Sequence, residues 1–454
     1  MINFSKLSTS ELITPAGFDC DCGKHHVASG LRSITIGRGV INNIPEVLAS
    51  IGIKKPFIVT DRNEYIAAGQ KAEEILKAAG IDYSMHVIPC APDKRVAPAE
   101  FATGSIALNF DVSCDSILCV GSGVMNDLCK VISNITGRPL VVLATAPSMD
   151  GFASDIAAME VNNIKLSLKV AIPAALICDV DIMSAAPMHM LHAGLGDMMG
   201  KFSALSEWKI AKIVVNESYC PETAALVRTS LEKIVDGSAG VKDRNPDSIA
   251  SITEGLILSG IAMAFVGHSR PASGLDHYFS HCWEMMAIAK GEECDLHGIQ
   301  VGIGTLFALK LYEHLKTITP TMDRAIAAAD SFDSEKWEAN IRRMFIDAAD
   351  GIIAMEAKAK KNDREGRLAR AETIINNWDK ILKIADEAPP AAEIEAIMKQ
   401  AGMPTKPEEI GVSKKDVIDA FICSRDLRAK YMLSSMIWDI GYMDEFAEWL
   451  EKNI

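Results

Sequence analysis

The stretch Ser116-Ile-Leu-Cys-Val-Gly-Ser-Gly-Val-Met-Asn-Asp127 constrains this chain more than any other. An apolar run of strand length ends on glycines and passes directly into helix-forming sequence. Strand, tight turn and helix form the first half of a parallel β-α-β unit, because parallel neighbours need a long crossover. The alternation recurs on both sides. Apolar runs at 34–36, 56–61, 84–88, 115–120, 139–144 and 173–180 are interleaved with helical periodicity at 44–51, 64–79 and 98–110. This predicts an α/β domain with a parallel sheet over residues 1–185. Beyond about Ala185 strand signals fade, and 186–454 reads as an all-α domain. A chain of 454 residues has room for both cores.

Charge and cysteine usage exclude several function classes. The net charge is −14 with no basic run, which argues against a nucleic-acid partner. The N-terminus carries no apolar leader, and no apolar run near 18 residues stands out, so no membrane insertion and a cytoplasmic location are expected. Eleven cysteines are scattered, with Cys119 and Cys178 inside strand-like runs, the pattern of reduced buried thiols. Cys20-Asp-Cys-Gly-Lys-His-His26 could begin a zinc knuckle, but no second cysteine pair completes it, and a turn before the first strand is expected.

The chemistry-bearing residues collect at strand ends. Gly121 and Gly123 would let the backbone approach a phosphate, and the helix that follows presents free N–H groups. Pro139-Leu-Val-Val-Leu-Ala-Thr-Ala-Pro-Ser148 is a second strand entering a polar loop, which continues through Asp150 to Ser154. Asp61 closes the strand Pro56–Asp61, where an acid can take both hydroxyls of an adenosine ribose or simply cap a helix. Asp197 follows Gly194-Leu-Gly and reads as a glycine-rich turn at a helix start. Residues 268–297 hold four of the ten histidines. His277 and His281, four apart, share a helix face, with Glu284 one turn on, and the helix should begin near Leu275. Imidazoles at that spacing suit a borderline divalent metal.

These motifs together are similar to those of the sn-glycerol-1-phosphate dehydrogenases, nearest to the longer bacterial, AraM-like type. That family lies in the superfamily of iron-containing alcohol dehydrogenases, glycerol dehydrogenase and dehydroquinate synthase. The resemblance rests on Gly121-Ser-Gly-Val-Met-Asn-Asp127 with Lys130, on Thr145-Ala-Pro-Ser148 with Asp150 and Ser154, and on Gly194-Leu-Gly-Asp197. Ser269-Arg-Pro-Ala-Ser-Gly274 with His277, His281 and His297 completes it. It implies an active site in the cleft between an α/β dinucleotide-binding domain and a helical domain. Asp197, His277 and His297 would hold one divalent metal, zinc or nickel. His281, Asp150 and Asp197 would meet the substrate, with His281 relaying a proton at a pKa near neutrality. Gly123, Val124, Met125, Asn126, Asp127, Thr145, Ala146, Pro147, Ser148 and Ser154 would contact NAD or NADP, and Asp61 would favour NAD. The implied reaction is reduction of dihydroxyacetone phosphate to sn-glycerol 1-phosphate by a homodimer. Arg270 or Lys201 would supply positive charge for the phosphate. The superfamily leaves room for a glycerol or other polyol dehydrogenase, or for a lyase resembling dehydroquinate synthase. Ser122 departs from the usual Gly-Gly-Gly of the superfamily turn.

Overall fold

The structure is a computed structural model that describes residues 2–28, 30–91, 95–162 and 164–454. Two compact units emerge. One comprises Met1–Met198 with Pro221–Ser269, the other Met199–Cys220 with Arg270–Ile454.

The first unit opens with a two-stranded antiparallel hairpin of β1 (Phe18–Asp19) and β2 (His25–His26). A six-stranded parallel sheet follows, built from β3 (Ser33–Gly37), β4 (Pro56–Asp61), β5 (Ser84–Ile88), β6 (Ser116–Gly121), β7 (Leu140–Ala144) and a final strand at Ala175–Asp179. A second hairpin, β8 (Ile156–Val161) with β9 (Ile164–Lys169), precedes that last strand, β10. The sheet order is β3-β10-β7-β6-β4-β5. β4, β6, β7 and β10 are buried along nearly their whole length, as a sheet covered on both faces requires. Alternate residues on one face (Ile58, Leu118, Val120, Val141, Leu143, Ala175, Ile177) pack on Ile44, Val47, Leu48, Ala72 and Leu76 from crossover helices. The chain runs from β4 outward to β5, returns to β6 on the other side of β4, and continues to β7. The β4–β6 boundary is therefore the switch point, outside whose carboxyl ends open α/β sheets bind ligands.

The longer helices of this unit include α1 (Gly123–Thr136), α2 (Met188–Met199), α3 (Pro221–Gly237) and α4 (Pro246–Val266). α4 corrects one expectation. At 21 residues it is long and apolar enough to cross a membrane, whereas the sequence was read as having no such run. It is instead a core helix, packed along α3 and against Asp150–Ala153 with 67% of its most apolar window buried. A helix apolar all round has that alternative.

The second unit contains no strand among its described residues. Its centre is α5 (Leu275–Lys290), flanked by α6 (His297–Leu315) and α7 (Lys414–Ser424). Gly304 of α6 lets the two helices touch, because a Cβ there would stand 2.5 Å from the Asp276 carbonyl oxygen. α5 begins at Leu275, as expected from the Pro271 and Gly274 signals.

Candidate active site

At the switch point of the first unit the Gly121–Gly123 turn and the polar loop after β7 come together. Gly121 ends β6 and Ser122 is the N-cap of α1. A Cβ on Gly121 would lie 2.4 Å from the Met125 Cβ, and one on Gly123 would lie 3.0 Å from the Met149 Cγ. Gly121 must therefore stay small for the turn to close, and Gly123 sits in tight contact with the Met149 side chain. Thr145 follows β7, its N–H donating to the Gly121 carbonyl at 3.3 Å. Thr145, Ala146, Pro147 and Ser148 are all buried.

Glu64, which the sequence did not single out, ties these loops together. Its carboxylate accepts from the Ser122 N–H at 3.2 Å, from the Ser122 hydroxyl at 2.9 Å, and from the Thr145 hydroxyl. Burial raises its carboxyl above the ordinary range, with Ser122 and Thr145 holding it back. Asp61 realises its capping role, accepting the Glu64 N–H at 2.8 Å from the end of β4. Val124 and Met125 lie in the first turn of α1, and Asn126 donates its side-chain amide to Asp127 at 3.1 Å. Asp127 accepts the Ala158 N–H at 3.0 Å, which ties α1 to β8.

Lys130 and Ser154 form a buried brace under the same loop. The Lys130 amine donates to the Ile156 carbonyl at 3.0 Å, to the Ser154 hydroxyl at 3.3 Å and to the Gly151 carbonyl. Burial pulls that amine down to about 8. The Ser154 hydroxyl donates to the Gly151 carbonyl at 3.0 Å. Both side chains shape the turn Asp150–Ala153 from beneath.

That turn presents Asp150 beside Asp197. The Asp150 N–H donates to Asp197 Oδ2 at 2.9 Å, and their carboxylate oxygens lie within 4.8 Å. Ser259 of α4 donates to Asp150 Oδ2 at 2.9 Å. Asp197 is buried inside α2, so the glycine-rich turn expected before it is in fact mid-helix. The reason lies in packing. A Cβ on Gly194 would stand 1.8 Å from the Pro147 carbonyl oxygen, so glycine lets α2 cross directly over the Thr145–Ser148 loop.

In the second unit, α5 and α6 bring three imidazoles together. Ring centroids lie 5.3 Å apart for His277 and His297, 5.2 Å for His281 and His297, and 6.4 Å for His277 and His281. Each Nδ1 already has an oxygen partner. His277 pairs with the buried carboxylate of Asp276, which in turn accepts from Ser203. His297 Nδ1 lies 2.9 Å from the Ser280 hydroxyl and 3.3 Å from Glu284 Oε1. His281 Nδ1 lies 3.2 Å from Glu284 Oε2. A proton on Nδ1 facing an oxygen partner leaves Nε2 as the lone-pair donor, the arrangement that orients metal-bound histidines. The residues present thus suit a divalent ion held by imidazole. Burial pushes His281 well below the usual imidazole value, with His297 adding to the effect, which departs from the near-neutral pKa expected of it.

The two basic residues expected to face a phosphate are both buried. Arg270, almost fully buried, donates from Nε to Glu217 Oε1 at 2.6 Å and pairs its Nη2 with Glu217 Oε2. Lys201 is also buried. Lys430, which the sequence did not mark, donates to the Ser273 carbonyl at 3.1 Å and hydroxyl at 2.9 Å. Burial pulls its amine down to about 7, with Arg270 adding to the effect.

Glu207 caps the α5 N-terminus, accepting the Leu275 N–H at 3.0 Å. Burial pushes its carboxyl up from 4.5 to about 8, with the Asp276 charge contributing. The folded chain therefore holds this proton more tightly than the unfolded chain. Its contribution to stability is complete below pH 4.5 and is lost as pH rises to about 8. The steepest slope is roughly 1.4 kcal/mol per pH unit. Glu207→Gln should flatten that part of the stability profile. Thermal midpoints across the window check this, and an unchanged slope in the variant would contradict it.

Comparison with known proteins places these features in a family. The model of the iron-containing alcohol dehydrogenases matches residues 35–187. A glycerol-1-phosphate dehydrogenase (NAD(P)+) of Halalkalibacterium halodurans is 34% identical over 65% of this chain and 74% of its own length. One from Bacillus velezensis is 33% identical over 66% and 77%. The crystal structure of glycerol dehydrogenase from Schizosaccharomyces pombe superposes with a TM-score of 0.60, covering 96% of this chain and 94% of that one at 13% identity, which shows a shared fold. The strand-end loops, the Asp150–Asp197 pair and the histidine cluster thus sit in an oxidoreductase: the chain belongs to the glycerol-1-phosphate dehydrogenase family of the iron-containing alcohol dehydrogenases.

Proposed function

We propose that the protein catalyses reversible, metal-dependent reduction of dihydroxyacetone phosphate by NAD(P)H to sn-glycerol 1-phosphate. The observation that carries this reading is the histidine cluster, in which three imidazoles converge and each Nδ1 faces an oxygen partner. The names of the relatives, glycerol-1-phosphate dehydrogenase (NAD(P)+), supply the substrate. Asp197, His277 and His297 are the proposed ligands of one divalent ion, zinc or nickel. When bound, that ion supplies Lewis-acid polarisation of the substrate carbonyl.

The chain's own groups do the rest. Asp276, fixed by Ser203, holds the His277 ring in the tautomer that leaves Nε2 unprotonated. Glu284 and Ser280 do the same for His297. Asp150, positioned by Ser259, accepts a substrate hydroxyl. His281, kept neutral by burial and braced by Glu284, takes or returns the proton of the product hydroxyl. The α1 N-terminus and the Thr145–Ser148 loop would hold the dinucleotide, because backbone N–H groups and the helix dipole favour phosphate there. None of the eleven cysteines is in a disulfide, which fits a cytoplasmic setting.

Asp61 sets coenzyme choice by accepting ribose hydroxyls and repelling a 2′-phosphate. Asp61→Ser keeps a cap for the Glu64 N–H but removes the charge. The expected result is a rise of about tenfold, or ~1.4 kcal/mol, in relative kcat/KM for NADPH. An unchanged NADH/NADPH ratio would remove Asp61 from that role.

The reaction itself is tested with NADH and a panel of ketones across added zinc and nickel. Dihydroxyacetone phosphate should be reduced and unphosphorylated dihydroxyacetone should be poor. Preference for the unphosphorylated ketone would make the protein a glycerol dehydrogenase instead. Phosphate release without net NADH turnover would indicate a lyase.

A further inference from the structure

We propose a second metal site, separate from the proposed catalytic one, on the N-terminal hairpin: Cys20, Cys22 and His26 bind a structural zinc ion. The hairpin's own geometry builds it. β1 and β2 pair Phe18 with His26 and Asp19 with His25, so the intervening Cys20-Asp-Cys-Gly-Lys24 is a tight knuckle. The Cys20 N–H donates to the Lys24 carbonyl at 3.1 Å, and the Gly23 N–H to the Cys20 carbonyl at 2.9 Å. Gly23 takes φ +83°, a left-handed conformation that glycine alone adopts without cost. The knuckle aims both thiols at the returning strand, where Cys22 Sγ lies 3.2 Å from His26 Nε2.

The donor atoms of Cys20, Cys22 and His26 all lie within 4.8 Å of one another. Zinc–ligand bonds of about 2.0–2.3 Å put neighbouring tetrahedral ligands roughly 3.5 Å apart, so small shifts close the trio on an ion. The observation that points to a metal is His26. This ring is fully buried, packed edge-on against Phe4 and beside Phe265, at the base of a knuckle whose thiols are partly open. Its Nδ1 lies 2.8 Å from the Phe265 carbonyl, which fixes the proton there and turns the Nε2 lone pair toward the thiols. His25, on the opposite face, pairs with Asp19 in solvent and takes no part. Binding releases two thiol protons, and the fourth position is left to water or a further thiolate. The ion would staple the first residues of the chain to the C-terminal end of α4 through the His26–Phe265 contact.

Thiolate ligation distinguishes this site from the catalytic one, whose proposed ligands include no sulfur. The full-length protein is stripped with a chelator and titrated with Co2+. A thiolate-to-cobalt charge-transfer band in the near ultraviolet is expected, with one ion bound per hairpin and the band displaced by zinc. The Cys20→Ser, Cys22→Ser double variant should lose the band entirely. His277→Ala should keep it, whatever happens to turnover. Absence of the band in the wild-type chain would overturn the proposal without using any variant. So would an equal count of titratable thiols in the denatured, unreduced wild type and double variant, since that result means a Cys20–Cys22 disulfide.

Discussion

His277→Ala and Asp197→Ala are each expected to lose bound metal and dehydrogenase activity together, with kcat/KM falling about 10^3-fold or more. The size follows from what a positioned cation contributes to a developing alkoxide, several kcal/mol. Both side chains are almost wholly buried, so each variant needs a control for folding. Asp276→Asn supplies one for the histidine. It keeps the shape next to His277 but removes the carboxylate behind Nδ1. Losses of oriented partners of this kind typically cost 10–100-fold in metal affinity. Metal affinity should therefore fall in the order wild type, Asp276→Asn, His277→Ala, while circular dichroism stays unchanged. Tightly bound metal retained by His277→Ala would remove that residue from the ligand set, and the same holds for Asp197→Ala.

Gly194→Ala is the largest stability effect expected in the first unit. The added methyl would stand 1.8 Å from the Pro147 carbonyl oxygen and 2.9 Å from its carbon. Backbone cannot rotate aside as a side chain can, so α2 must lift from the Thr145–Ser148 loop. Overpacking of this kind costs about 1–3 kcal/mol and occasionally more. The displacement also reaches the loop proposed to hold the dinucleotide, and the KM for NADH should rise. Gly104→Ala is the comparison: its Cβ meets nothing within 4 Å, and alanine there should stabilise the helix by up to about 1 kcal/mol. Equal thermal midpoints for the two variants would contradict the packing argument.

Much of the first unit was legible because its signals are local. Apolar runs flanked by glycine or proline marked the strands of the parallel sheet, and the Gly121–Gly123 turn marked its switch point. The start of α5 followed from Pro271 and Gly274. The β8–β9 hairpin was missed although Ile164–Lys169 alternates apolar and polar residues, since the segment lay between two stronger strand signals. The glycines before Asp197 were misread for a physical reason. A glycine needed for close approach carries the same letter as one needed for a turn, and only the Pro147 carbonyl distinguishes them.

The candidate site divided in the same way. Histidine spacing is a one-dimensional fact and survived the fold. Its oxygen partners did not show in advance. Ser203 stands seventy-three positions from Asp276, and Glu64 fifty-eight and eighty-one from the Ser122 and Thr145 it joins. Arg270 looked like a phosphate ligand by charge alone. Its Glu217 partner, fifty-three positions away, did not show in advance. The depressed His281 value likewise comes from burial, which no spacing rule reports.

The central claim is that this site reduces a phosphorylated triose to one particular enantiomer. The most direct measurement is the handedness of the product formed from dihydroxyacetone phosphate and NADH by the metal-loaded protein. The product should resist an enzyme specific for sn-glycerol 3-phosphate and be reoxidised by this protein with NAD when hydrazine traps the ketone. Complete consumption by the 3-phosphate-specific enzyme would contradict the account.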